Sequence, residues 1–131
     1  MTHAVATISD VSKSYQFGDA LVRALRGVSL KIYPGEFLAA AGPSGSGKST
    51  LLNLVGCLDR PDSGTVTLGD HKVSHLPTRA LSPIRRDQLG FIFQTFNLVP
   101  VLTAFENVEY PLLVKGGPAR EIGRASCRER V

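Results

Sequence analysis

Apolar and polar positions change their period several times along the chain, and each change marks an element. From Ala4 to Tyr15 they alternate (Val5, Thr7, Ile8, Val11, Ser12), which predicts a strand. Gly18-Asp19 within Gln16–Ala20 predicts a turn, and Val22–Tyr33 brings further β material, notably Val28-Ser29-Leu30-Lys31-Ile32. Pro34-Gly35 makes a tight turn. The short apolar run Glu36–Ala41 then predicts a buried strand, followed by a glycine- and serine-rich loop over Gly42–Gly47. Lys48–Leu58 is apolar at helical spacing (Leu51, Leu52, Leu54, Val55).

The second half repeats this vocabulary. Asp59-Arg60-Pro61-Asp62-Ser63-Gly64 is turn chemistry, Thr65–Leu68 reads as a strand and Gly69-Asp70 turns it. Thr78–Gln88 predicts a helix with a basic face (Arg79, Arg85, Arg86), against which Pro83 argues. Leu89–Gln94 predicts a buried strand that ends on a polar residue. Thr103 with Glu106 three residues later is a capping box, so a helix over Thr103–Val114 begins there. Strands alternating with helices around a loop of this kind predict an α/β fold.

Composition narrows the class. The 131 residues, 43% hydrophobic and 20% charged, suit one ordinary globular domain. No apolar run reaches the roughly 18 residues of a membrane span. The start Met1-Thr2-His3-Ala4-Val5 lacks the apolar core of a signal peptide, so a soluble, cytoplasmic protein is expected. Cys57 and Cys127 have no metal-ligand spacing, and Cys57, in an apolar stretch, reads as a buried thiol. The net charge of +4 raises nucleic-acid binding, but Arg124, Arg128 and Arg130 against Glu129 supply +2 of it. No basic block remains elsewhere, so no nucleic-acid partner is expected.

Candidate chemistry concentrates in Gly42-Pro43-Ser44-Gly45-Ser46-Gly47-Lys48-Ser49-Thr50, a full match to the phosphate-loop pattern between an apolar run and a helix. Gly45 and Gly47 allow backbone angles that turn successive N–H groups to one point. With the helix N-terminus these N–H groups form an anion nest for a β-phosphate. Lys48 would place its ammonium between β- and γ-phosphates. The Ser49 hydroxyl is a hard oxygen ligand for Mg²⁺, and Thr50 can hydrogen-bond the α-phosphate. His71 and His75 lie four apart but in a turn-rich stretch without a third ligand, and read as surface histidines.

Three long stretches decide among phosphate-loop families: "VSKSYQFGDALVRALRGVSLKIYPGEF", "GPSGSGKSTLLNLVGCLDRPDSG" and "IRRDQLGFIFQTFNLVPVLTAFENVEYPLL". From about Ala4 to Arg120 the chain resembles the ATP-binding subunit of ABC transporters, closest to the subgroup of lipoprotein-release and macrolide-export systems. The resemblance implies the nucleotide-binding fold of that family, with ATP and Mg²⁺ as cofactors. It implies a second ATP-binding subunit as partner, and a membrane permease subunit or fused membrane domain that holds the protein at the inner face of the cell membrane. It carries adenine stacking onto Tyr15, and onto Gln94 a role as Mg²⁺ ligand and sensor of the γ-phosphate. The segment Thr95–Pro100 resembles the part that faces the membrane subunit.

The family's later machinery has no match in the 131 residues. There is no Ser-Gly-Gly-Gln signature, no apolar run leading into Asp-Glu and no histidine beyond His75. A truncated ABC-type domain over 1–120 is therefore expected to bind nucleotide weakly without hydrolysing it, and its phosphate-loop strand to lack neighbours and expose edges. The last stretch, Ile122–Val131, can be encoded by bases resembling a widely used short-read sequencing adapter, which predicts a non-native tail over 121–131. The alternative there is a genuine, solvated arginine-rich tail. Two other readings of the chain stay open at this point. One is a non-catalytic nucleotide-binding module. The other is a small kinase or related phosphate-loop enzyme, which would need an arginine-rich lid built from Arg79, Arg85 and Arg86.

Overall fold

The computed structural model describes residues 3–116. The expected tail over 121–131 and Cys127 lie outside the described residues. The chain divides into two compact units, Met1–Ser82 and Pro83–Val131.

In the first unit, β1 (Ala6–Phe17) and β2 (Ala20–Ile32) form an antiparallel hairpin through Gly18-Asp19. β3 (Ser63–Leu68) pairs antiparallel with the other edge of β1, and β4 (His71–Lys72) pairs with β3. The order across the sheet is β2-β1-β3-β4. Between β2 and β3 lies α1 (Lys48–Val55), which packs on the first three strands. Ala6, Ile8, Val11, Leu25, Val66 and Leu68 from the sheet are buried together with Leu54 and Cys57 from the helix and its end. Each large aliphatic side chain so buried contributes about 1.5–3 kcal/mol.

Ile8 and Val11 are three apart, out of phase for a regular strand, yet both are fully buried. A bulge reconciles them. The register shifts between Ile8 and Val11 against β2 and between Ser9 and Ser12 against β3, and Asp10 has φ 50°. The extra residue turns Val11 back to the core. Gly64 makes the bulge possible, because a Cβ there would overlap the backbone carbonyl of Asp10.

The helix expected to Leu58 stops at Val55. Its end is a Schellman motif: Leu58 N–H donates to Asn53 O (2.8 Å) and Cys57 N–H to Leu54 O (3.2 Å). Cys57 takes the left-handed position, φ 57°, that glycine usually fills, and its thiol is buried as expected. The backbone reversal directs the chain into Asp59–Asp62.

α2 (Thr78–Gln88) has the expected bounds despite Pro83, which falls at the boundary of the two units. Leu81 and Ile84 are its buried positions. Of the expected basic face, Arg79 and Arg86 are exposed and Arg85 is half-buried. Arg86 forms a two-pronged pair with Asp87, Nε–Oδ1 2.7 Å and Nη2–Oδ2 3.0 Å. In α3 (Ala104–Val114) the capping box is complete: Thr103 Oγ1 accepts from Glu106 N–H (3.3 Å) and Thr103 N–H donates to Glu106 Oε2 (2.7 Å). Asn107 ties down the preceding turn, accepting from Val99 N–H (2.8 Å) and donating to the Leu102 and Thr103 carbonyls.

Two expectations are corrected. Neither Glu36–Ala41 nor Leu89–Gln94 is a strand, and neither is buried. Phe37 is 94% exposed and Ile92 103%. A strand exists through its ladder partners, and among the described residues no strand pairs with either run. Their apolar character alone does not create one. The strands that do form are all antiparallel.

Candidate nucleotide site

The loop from Gly42 to Gly47 delivers the chain to the start of α1. Gly42, Gly45 and Gly47 have φ of 152°, 80° and 88°. Gly47 is the N-cap residue and offers no side chain to cap the helix. The N–H groups of the first turn, having no carbonyl one turn back, are therefore free to receive an anion. Gly47 is also where the loop presses on the sheet. A Cβ there would lie 2.5 Å from the Ala24 carbonyl oxygen and 3.0 Å from Leu25 Cδ2.

Ser44, Gly45, Ser46, Gly47, Lys48, Ser49 and Thr50 line one cavity of about 510 Å³, which Val22 and Ala24 of β2 complete. The Lys48 ammonium donates to Gly42 O and Pro43 O, both at 2.7 Å, and to Ser46 Oγ at 3.2 Å. Three converging acceptors match the three donors of an ammonium. Gly42 and Pro43 thus act through carbonyls that hold the lysine. The Ser49 hydroxyl, exposed on the cavity wall, is one hard oxygen, and Mg²⁺ needs only one or two protein ligands when phosphates and water supply the rest. The residues present therefore fit a magnesium–nucleotide complex.

Tyr15 stands beside this cavity. It is opposite the lining residue Val22 in the β1–β2 register. Its hydroxyl donates to Asp59 Oδ2 at 2.8 Å, and the side chain of Thr50 is within hydrogen-bonding reach. Gln94 belongs to the second unit, where it lies in an irregular, exposed segment instead of ending a buried strand. His71 and His75 are both exposed. In the segment that follows Gln94, Phe96 is 93% exposed, and Leu98 and Val99 are exposed as well.

A polar cluster without a local sequence signal ties β1 to the end of α1. Asp59 Oδ1 accepts from Lys13 Nζ (3.0 Å) and from Arg60 N–H (2.7 Å). Lys13 Nζ also donates to Arg60 O (2.6 Å) and lies 3.6 Å from Asp62 Oδ1. Asp62 Oδ2 accepts from Ser14 N–H (2.6 Å). These residues sit in a stretch whose composition says only "turn", and their partners are more than 40 positions away, so only the bent exit of α1 could have revealed them.

Burial alone would raise the Asp59 carboxyl, but hydrogen bonds from Tyr15, Arg60 N–H and Lys13 outweigh it and hold the group below its ordinary 3.8. Burial likewise pulls the Lys13 ammonium down, and Asp59 and Asp62 more than offset this, leaving it above 10.5. Burial and then Asp59 push the Tyr15 hydroxyl up, with Thr50 working against them. A depressed carboxyl contributes stability that is present above its unfolded value and lost as pH falls through its folded one. A raised ammonium contributes stability lost only at strongly alkaline pH. The unfolding midpoint should therefore fall on acidification below about pH 4, and Asp59→Asn should flatten that acid limb. Melting curves over this range read both; equal slopes in the two proteins would show that Asp59 does not link folding to pH.

Comparison with known proteins agrees with this geometry. The ABC transporter family matches residues 25–130. An ABC transporter ATP-binding protein of Thermotoga maritima is 50% identical over 117 residues, covering 89% of this chain and 50% of the relative. The macrolide export ATP-binding/permease protein MacB of Marinobacter nauticus is 48% identical over 119 residues, covering 90% of this chain and 18% of the relative. A dimeric structure of the ATP-binding cassette MJ0796 in a post-hydrolysis state, bound to ADP and Pi, aligns with a TM-score of 0.85 at 46% identity, covering 92% of this chain and 54% of that one. The chain thus spans half or less of the length of these curated relatives. No helix among the described residues is long and apolar enough to cross a membrane. The family match replaces the kinase alternative, and the phosphate loop, the uncapped helix start and the sheet beneath them have one common explanation: the chain belongs to the ABC transporter family, as part of its ATP-binding domain.

Proposed function

We propose that the chain grips ATP as its magnesium complex, within a protein that couples ATP binding and hydrolysis to export or lipoprotein release through a membrane partner. One observation carries the reading: Lys48, Ser49 and an uncapped helix start converge on a single cavity. The first-turn N–H groups and Lys48 bind the phosphates, and Ser49 ligates the metal. Gln94 is the second metal ligand and senses the γ-phosphate, a role supported by the resemblance of its flanking residues. Tyr15 stacks on adenine, supported by its place opposite Val22.

The partners follow the same reasoning. The MacB relative is named as an ATP-binding/permease protein, and the MJ0796 cassette is described as dimeric. Both support a membrane permease, separate or fused, and a second ATP-binding copy as partners, with the protein held at the inner face of the membrane. The exposed apolar side chains of Phe96, Leu98 and Val99 suit docking to such a permease.

Hydrolysis needs a group that orients the attacking water and further charge stabilisation at the γ-phosphate. The 131 residues hold no Ser-Gly-Gly-Gln and no Asp-Glu after an apolar run. The chain alone should therefore bind ATP–Mg²⁺ without turning it over. Titration calorimetry and phosphate release on the same sample test this. Steady release of phosphate that Lys48→Ala abolishes would overturn it.

A further inference from the structure

The cluster at the end of α1 has a consequence for the nucleotide's base. We propose that Asp59 is a positioning residue: from the exit of the phosphate-loop helix it holds the Tyr15 hydroxyl and so fixes the plane of the ring on which a purine stacks. The proposal rests on the reading of Tyr15 as the base platform.

A tyrosine near the end of a hairpin strand can swing about two side-chain bonds, and each orientation it samples weakens its use as a stacking surface. Here the swing is blocked at the far end of the ring. The Tyr15 hydroxyl donates to Asp59 Oδ2 at 2.8 Å. The carboxylate is itself immobile, because its other oxygen is held by Lys13 Nζ and by Arg60 N–H. Lys13 cannot drift either. Its side chain is 13% exposed, and it is bound to the Arg60 carbonyl as well. The same ammonium stands over the Tyr15 ring, 5.3 Å from its centroid, and covers one face. Phe17 lies tilted beside the same ring, with centroids 6.4 Å apart and planes at 51°.

Position along the helix gives the arrangement its purpose. The phosphate grip is at the first residues of α1, and the hold on Tyr15 comes just after its last turn, beyond the Schellman motif at Cys57 and Leu58. Leu54 and Cys57, each 1% exposed, lock that end into the core. One rigid element therefore sets both where the phosphates sit and where the base platform stands. A second bond, from Ser14 N–H to Asp62, ties the neighbouring backbone of β1 to the same exit loop.

The test separates base from phosphate. Affinities of the 131-residue chain for ATP and for inorganic tripolyphosphate, both with Mg²⁺, are measured by equilibrium titration at submicromolar chain. Tyr15→Ala should weaken ATP about tenfold or more through lost stacking. Asp59→Ala and Tyr15→Phe should each weaken it about threefold, and the double variant no further, since each removes the same bond. Tripolyphosphate should bind all of them equally. Unchanged ATP affinity in Tyr15→Ala would sink the stacking reading itself. A loss in Tyr15→Ala with none in Asp59→Ala or Tyr15→Phe would overturn the positioning role alone. Equal losses for ATP and tripolyphosphate in Asp59→Ala would overturn it too, by showing that Asp59 merely holds the fold.

Discussion

Lys48→Ala is expected to weaken ATP–Mg²⁺ binding about a hundredfold or more, because it removes a charge-assisted contact worth about 3 kcal/mol with a polyphosphate. The side chain also serves the loop. Its ammonium is the common donor to Gly42 O, Pro43 O and Ser46 Oγ. Removing it takes this donor from Gly42 O and Ser46 Oγ, while Pro43 O keeps the Ser46 N–H at 3.3 Å, so part of the lost affinity is lost preorganisation. Lys48→Arg tests this division. A guanidinium keeps the charge but is a planar fork and cannot aim three bonds at acceptors gathered around a point. If charge alone mattered, Lys48→Arg would bind almost as well as the parent chain. The geometry predicts that it recovers only a small part, and titration of the three proteins at low and high salt decides. A Lys48→Ala protein that bound ATP–Mg²⁺ with parental affinity would remove the lysine from the site.

The elements legible in the sequence are those whose signal is local. α2 was bounded by its own periodicity, and α3 by Thr103 and Glu106, whose reciprocal bonds span three residues. The phosphate loop was legible for the same reason, since its glycines, lysine and serine are contiguous. What escaped depends on distant parts of the chain. The runs Glu36–Ala41 and Leu89–Gln94 have the composition of buried strands, but a strand needs a neighbour, and the described residues give neither run one. The bulge at Asp10 was hidden because its cause lies in Gly64, on another strand. The Tyr15–Asp59 bond joins residues 44 apart, and the sequence around Asp59 announces only a turn. Of the candidate site, the half that is one continuous segment could be read directly, and the half assembled by the fold could not.

The most severe single change should be Gly47→Ala, which is expected to cost about 3–5 kcal/mol and to abolish nucleotide binding with it. Two effects add at this position. With φ 88° the residue lies where an L side chain is strained by about 1–2 kcal/mol. The new Cβ would also lie 2.5 Å from the Ala24 carbonyl oxygen, part of the backbone of β2, with Leu25 Cδ2 at 3.0 Å. A flexible side chain could give way, but Ala24 lies between the pairs Arg23–Ser14 and Leu25–Lys13, so moving its backbone strains both. Leu25 is a buried core residue, so the displacement would reach the packing under the sheet. Gly45→Ala is the control. It has nearly the same backbone angle, φ 80°, but no atom within 4 Å of a Cβ. It should therefore cost only the conformational strain and leave the fold standing. Chemical unfolding of the two variants measures the difference, which is the energy of the close approach between loop and sheet. If Gly47→Ala proved no less stable than Gly45→Ala, the loop would not be seated against β2 as described, and the cavity shared by the phosphate loop with Val22 and Ala24 would lose its basis.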